Sequence, residues 1–329
     1  MFNACIIGTG SALPEKALLN SEIGEFVDTS DEWIVRRTGI KERRISLKEG
    51  EGTADLAALA SQKAMEMADV SPEELDLIVV GTVTADRLVP SAGCMVQQIL
   101  GAQNAAAFDI SAGCSGFLYA LTTVKNATCS GACKTALAIG VDRISTILNW
   151  KDRGTCILLG DGAGAVVVKA SEKETGILSS HLKSDGRLWE LLYSKEGNSY
   201  VPECLEGLKP KSSYLVMDGN RLFKKAVNSL TDIANQALKQ NNLSGEDISI
   251  LVPHQANMRI IQATAQSLDI PFEKFYINVD RYGNTSSASI PLALDEANRK
   301  GLIKKGDYVM LITFGAGLTW GSTVLRWCF

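Results

Sequence analysis

Three side chains in this chain of 329 residues are placed for nucleophilic chemistry: Cys114, His254 and Asn284. Cys114 follows AAAFDISAG and precedes SGFLYALTTVKNA, whose spacing of Phe117, Leu118 and Leu121 predicts a helix with one buried side. A thiol at a helix N-terminus meets unpaired N–H groups and the positive end of the macrodipole, which favour the thiolate and predict a lowered pKa. The small neighbours Ala112, Gly113, Ser115 and Gly116 leave room for a thioester. Buried cysteines are more often inert packing residues. That reading is preferred for Cys5, Cys156 and Cys328, which sit in apolar, strand-like runs, and is reversed for Cys114.

The chain has two histidines. His181, in SSHLKSDGR, reads as a surface residue. His254 follows the strand-like ISILVP and opens a helical segment, so it projects from a strand end, where α/β proteins place their sites. A histidine there is as often structural as catalytic, and Asn284, in YGNTS, reads by itself as a turn or helix cap. The loop FGAGLTWGS (314–322) has the small residues needed to bring backbone N–H groups, such as those of Ala316 and Gly317, against a substrate oxygen. A tight strand connection explains it equally well. GDGAGA (160–165) fits a dinucleotide fingerprint in form, but a strand, VVVKA, follows it where a helix is required. Cys129 and Cys133 form a close pair with no second pair or histidine nearby, so no metal site is expected.

Short β-rich runs at 76–81, 135–140, 248–253 and 308–314 alternate with helical stretches at 53–68, 219–241, 255–268 and 285–299. The alternation predicts an α/β protein with mostly buried strands. A repeat offset by roughly 170 residues is also visible: SPEELDLIVVG (71–81) returns as SGEDISILVP (244–253), and SAGCSGF around Cys114 returns as YGNTSSAS around Asn284. Duplication places His254 and Asn284 beside the counterpart of Cys114. The division expected from it is an N-terminal half, 1–170, carrying the cysteine, and a C-terminal half, 171–329, carrying the histidine and asparagine.

With 46% hydrophobic and 21% charged residues the whole chain is expected to fold. A net charge of −4 argues against a nucleic-acid or anionic-membrane coat. No leader and no long apolar span are visible, and eight scattered cysteines suit reduced thiols, so a cytoplasmic protein is expected.

Taken together, TSDEWIVRRTGIKERRI (29–45), SAGCSGF (111–117), DRGTCILLGDGAGA (152–165), PHQAN (253–257), YGNTSSASIPLALDEA (282–297) and FGAGLTWGS resemble β-ketoacyl-acyl carrier protein synthase III, a condensing enzyme of the thiolase fold. The resemblance spans the chain and implies a layered α-β-α-β-α sandwich of two duplicated halves, a homodimer, and a Cys114–His254–Asn284 triad. It implies decarboxylative condensation of an acyl-CoA primer with malonyl-acyl carrier protein through an acyl-cysteine. The coenzyme A thioester is substrate, and no metal or redox cofactor is implied.

The same resemblance assigns Trp33 and Arg153 to the adenine, Arg37 to the phosphates, and Asn220, Phe223, Ala256 and Asn257 to the pantetheine channel. Trp33 is otherwise a helix-packing aromatic behind a cap at Thr29 and Glu32. Carrier-protein docking maps to Lys224, Lys225 and Arg259, while Gln266 and Ser267 stand where lysines are frequent. Lys224 and Lys225 also fit the solvated face of a helix. The loop reads FGAG where FGGG is common. Val89 occupies the position that closes the partner subunit's acyl pocket, and its small side chain implies room for longer or branched primers.

Other readings are a related acyltransferase or secondary-metabolic condensing enzyme with another acceptor, a papain-type Cys–His–Asn hydrolase, and a non-catalytic CoA-binding protein. The hydrolase signature C-G-[SA]-C-[WY] is absent, as is the second cysteine that a degradative thiolase carries in the C-terminal loop.

Overall fold

The computed structural model describes residues 2–48, 50–194 and 214–329; Cys204 lies outside them. The strands used below are β1 (Asn3–Ala12), β2 (Leu77–Gly81), β3 (Ala106–Ile110), β4 (Thr135–Asp142), β5 (Gly162–Ser171), β6 (Gly176–Ser184), β7 (Ile248–Pro253), β8 (Tyr308–Gly315) and β9 (Thr319–Arg326). The helices are α1 (Asp31–Thr38), α2 (Thr53–Ala68), α3 (Ala92–Leu100), α4 (Gly116–Cys129), α5 (Gly219–Gln240), α6 (Met258–Leu268) and α7 (Ser289–Arg299).

Two sheets carry the fold, ordered β1-β5-β4-β2-β3 and β7-β8-β9-β6. In the first, β2 is parallel to β3 and β4, while β5 is antiparallel to β1 and β4. In the second, β7 is parallel to β8, and β9 is antiparallel to β8 and β6. A parallel bridge from Leu251 to Phe275 stands beside β7 as β3 stands beside β2. The two orders therefore correspond strand for strand, with β6 in the place of β1.

Strand residues alternate between two cores, as period-two geometry requires. Val79, Ala136, Ala138, Val166 and Val168 face inward, onto α4 and α7, together with Ile250, Val252, Val309 and Leu311 of the other sheet. Their neighbours Ile78, Val80, Leu137, Ile139 and Val167 face outward onto α2 and α3. Across the second sheet, Leu251, Met310 and Ile312 face α5 and α6. The result is five layers, helix-sheet-helix-sheet-helix. Strands buried on both sides explain the continuous apolar runs in the sequence. Phe117, Leu118 and Leu121 of the central helix α4 are at most 1% exposed, each burial stabilising by roughly 2 kcal/mol.

Three expected helix starts shift, two of them set by side-chain caps. The cap of α1 is Ser30, whose Oγ accepts from Trp33 N at 3.2 Å, rather than Thr29. The helix expected from 255 begins at Met258, because Asn257, itself extended, caps it by accepting from Ile260 N through Oδ1. The helix expected from 285 begins at Ser289, after a short 3-10 turn at Ser286–Ala288. His181 lies in β6, half-buried opposite Ser322, rather than in a surface loop, because the polar SSHLKS alternates as an outer strand.

Candidate active site

Cys114, His254 and Asn284 line one cavity of about 540 Å³ between the two sheets' strand ends. Strand-to-helix turns place Cys114 between β3 and α4 and His254 between β7 and α6, while Asn284 follows a short helix, Val279–Tyr282, and precedes α7. The chain thus brings together residues 140 and 170 positions from the cysteine.

The cysteine stands one short 3-10 turn (Gly113–Ser115) ahead of α4, and its environment reverses the expected acidity. Burial pushes the Cys114 thiol up to about 11. A hydrogen bond from Ser286 and its own amide act the other way, while nearby Asp142 opposes ionisation. Desolvation of a thiolate between two sheets outweighs the helix end, so at neutral pH the group rests as a thiol.

The loop after β8 meets the cysteine turn backbone to backbone. A Cβ on Gly315 would come within 2.6 Å of Cys114 N, so only glycine permits the approach. Gly113, at φ +54°, faces Ala316, and a Cβ there would meet Ala316 N at 2.8 Å. Among the described residues neither the Cys114 nor the Ala316 N–H has a backbone acceptor. The amides of Cys114 and Ala316, drawn together by this backbone contact, have the character of an oxyanion hole. Ala316 lines the cavity, and it is not among the residues with positive φ, so FGAG is accommodated where FGGG is common. Gly317 does not line it; it stands at φ +129° and joins Leu318 by a cis peptide.

His254 is buried without a charged partner, which lowers its pKa to about 4 and keeps the ring neutral. Its Nδ1 lies 2.6 Å from Ser289 Oγ, which also accepts from Gln255 N at 3.3 Å. Among the described residues Nδ1 is the only acceptor within reach of the hydroxyl's own proton, so both groups are satisfied when the ring hydrogen sits on Nε2. Asn284 Oδ1 accepts from Ser286 N at 2.9 Å, leaving its Nδ2 hydrogens for the cavity. Two neutral N–H donors beside a thiol suit an enolate oxygen better than they suit proton abstraction.

The remaining sequence-derived candidates divide. Phe223, Ala256 and Asn257 line the cavity, whereas Asn220 stands exposed beside Gly219, which does line it. Trp33 lies outside the cavity with Arg37 and Arg153 over its ring, at 5.0 and 4.6 Å from the centroid. Arg153 also donates to Asp28 O at 2.7 Å. Arg259 stacks over Phe223 and is exposed, as is Lys224; Lys225 turns instead onto Trp320. Val89 is 80% exposed and does not line its own chain's cavity. Ser286, Ser289 and Asp142 were not singled out from sequence. The serines were in view within YGNTSSAS, but nothing in their spacing distinguishes a site hydroxyl from a turn former.

Comparison with known proteins places this architecture among the thiolase-fold condensing acyltransferases. The family description 3-oxoacyl-[acyl-carrier-protein] synthase III matches residues 108–186, and its C-terminal counterpart matches 238–327. The β-ketoacyl-[acyl-carrier-protein] synthase III of Caldanaerobacter subterraneus is 51% identical over 98% of this chain and 98% of its own. That of Xanthomonas campestris is 51% identical, also with 98% of each chain covered. The crystal structure of 3-oxoacyl-[acyl-carrier-protein] synthase III from Aquifex aeolicus superposes with a TM-score of 0.92 at 46% identity, covering 98% of this chain and 100% of that one. This chain belongs to the β-ketoacyl-acyl carrier protein synthase III family.

Proposed function

We propose that this chain joins an acyl group, taken from acyl-CoA onto Cys114, to malonyl-acyl carrier protein with loss of CO₂. The observation that carries the reading is the shared cavity of Cys114, His254 and Asn284, with Ala316 in its lining and its amide against the cysteine turn at Gly113. In the first half-reaction the sulfur attacks the thioester carbonyl, the oxyanion rests on the Cys114 and Ala316 amides, and CoA leaves. In the second, the malonyl thioester oxygen lies against His254 Nε2–H and Asn284 Nδ2–H. These donors stabilise the enolate formed as CO₂ departs, and its carbon then attacks the acyl-cysteine. Neither step calls for a metal or redox cofactor.

The CoA adenine is assigned to Trp33 and Arg153, with Arg37 at the phosphates. Arg153 now covers the Trp33 ring, so it must swing aside to admit the base. Phe223, Ala256 and Asn257 form the channel wall, with Asn220 at its mouth. An acidic carrier docks on Lys224, Lys225 and Arg259, above Phe223.

We place the enzyme in the cytoplasm as a homodimer built from two similar halves meeting near residue 170, at the end of β5. Among the described residues no helix is long and apolar enough to cross a membrane. Support for the dimer comes from β3, an edge strand with Phe108 40% exposed. Val89 would reach the partner's pocket, and its small side chain admits longer or branched primers.

The test is mass spectrometry of the enzyme with acetyl-, isobutyryl- and octanoyl-CoA, followed by malonyl-acyl carrier protein. Acylation of the Cys114 peptide and a β-ketoacyl product are expected, and the Cys114→Ala variant should give neither. Free acid alone would sink the reading, and strict acetyl selectivity would remove the role of Val89.

A further inference from the structure

Gln255, next to His254 in the chain, is 1% exposed and bonded at both polar atoms of its side chain. Its Nε2 donates to Pro253 O at 2.9 Å and to Tyr276 O at 3.1 Å. Its Oε1 accepts from Asn278 N at 3.0 Å and from Val279 N at 3.1 Å. Two carbonyls at one end and two N–H groups at the other admit a single orientation of the amide and use its full bonding capacity. The four partners belong to two segments. Pro253 closes β7 immediately before His254, while Tyr276, Asn278 and Val279 lead into the short helix Val279–Tyr282 and so to Asn284. Val279 O in turn accepts from Gly283 N at 3.0 Å, one residue before that asparagine. The Gln255 backbone N–H reaches Ser289 Oγ, the hydroxyl that stands 2.6 Å from His254 Nδ1.

We propose that Gln255 is a positioning residue that sets the distance between His254 and Asn284, the two donors to the enolate oxygen. This rests on the acyl-transfer reading above. Two N–H groups stabilise one oxygen only while both keep their distance to it, and a displacement of about 1 Å costs on the order of a hundredfold in rate. His254 is held at its backbone by β8, its N donating to Ile312 O at 2.8 Å. Asn284 is held by a different segment, its N donating to Leu158 O at 2.8 Å and its O accepting from Gly160 N at 3.1 Å. Neither anchor refers one donor to the other. The Gln255 amide ties the end of β7 directly to the segment that leads to Asn284, across 21 to 24 residues of chain. A neutral amide also suits the place, since an ionised side chain there would bring charge to a ring that burial keeps neutral. Cys114 is anchored elsewhere, its carbonyl accepting from Thr313 Oγ1 at 3.1 Å, so its acylation does not depend on this clamp.

The experiment compares the wild type with Gln255→Glu, which keeps the side-chain volume and an oxygen for Asn278 and Val279 but loses the amide hydrogens given to Pro253 and Tyr276. Three quantities are measured: single-turnover acylation of Cys114 by acetyl-CoA, decarboxylation of malonyl-acyl carrier protein, and the thermal unfolding midpoint. Decarboxylation should fall on the order of a hundredfold, with acylation within about threefold of the wild type. Val167→Ala, a truncation in the outer core, lowers the midpoint as a control and should leave both rates within about threefold. If Gln255→Glu does not fold, Gln255→Asn carries the same comparison, because its amide is one carbon too short to span the two segments. Decarboxylation within about twofold of the wild type in a folded variant, or an equal fall of both rates, would overturn the role. So would Asn278 and Val279 amides that exchange freely with solvent in the folded wild type. A wild type that is never acylated would instead sink the reading on which the proposal rests.

Discussion

Ser289 Oγ lies 2.6 Å from His254 Nδ1, inside the protein and 35 residues along the chain. With the hydroxyl donating to Nδ1, the weakly basic, neutral ring is a donor at Nε2. Ser289→Ala should let the ring populate the other tautomer. Condensation is expected to fall about tenfold, the equivalent of one hydrogen bond, with Cys114 acylation within twofold of the wild type. Nitrogen-15 chemical shifts of His254 report the tautomer directly, and unchanged shifts with unchanged condensation would remove this role from Ser289.

Gly315→Ala puts a methyl group 2.6 Å from Cys114 N and must push the two turns apart. Loss of one oxyanion donor costs about a hundredfold or more in rate, so Cys114 acylation should drop by that order. Ala316→Gly, which adds no atoms, should stay within threefold. Single-turnover acylation rates separate the two, and equal behaviour would place the oxyanion elsewhere.

Cys114 should titrate late. With its pKa raised to about 11 rather than lowered, alkylation by a neutral reagent should gain close to tenfold per pH unit from pH 7 to 9.5 with no plateau. A plateau near pH 7 would mean that the helix end outweighs burial after all.

The buried imidazole also ties stability to pH. The folded pKa of His254, about 4, lies below the ordinary 6.5, so the unfolded chain holds the proton more tightly between these values. The stability contributed by the neutral ring is whole above pH 6.5 and is lost as pH falls to about 4, in total about 3 kcal/mol. Urea unfolding of the wild type and His254→Gln at pH 7.5 and 4.5 measures this. The wild type should lose the larger share on acidification, and parallel losses would contradict it.

What the sequence determined by itself was an α/β fold with buried strands, through their continuous apolar runs, while its layering and the three residues that meet in one cavity were legible through family motifs. Chain order and residue type suffice for these because strand periodicity and turn composition are local properties. Tertiary structure alone decided the acidity of the thiol, since local position at a helix end argued for a low pKa and only the enclosing sheets show the stronger desolvation. It also decided the surroundings of Ser289, whose hydroxyl meets the ring of His254 from 35 residues away, a pairing that no linear pattern encodes.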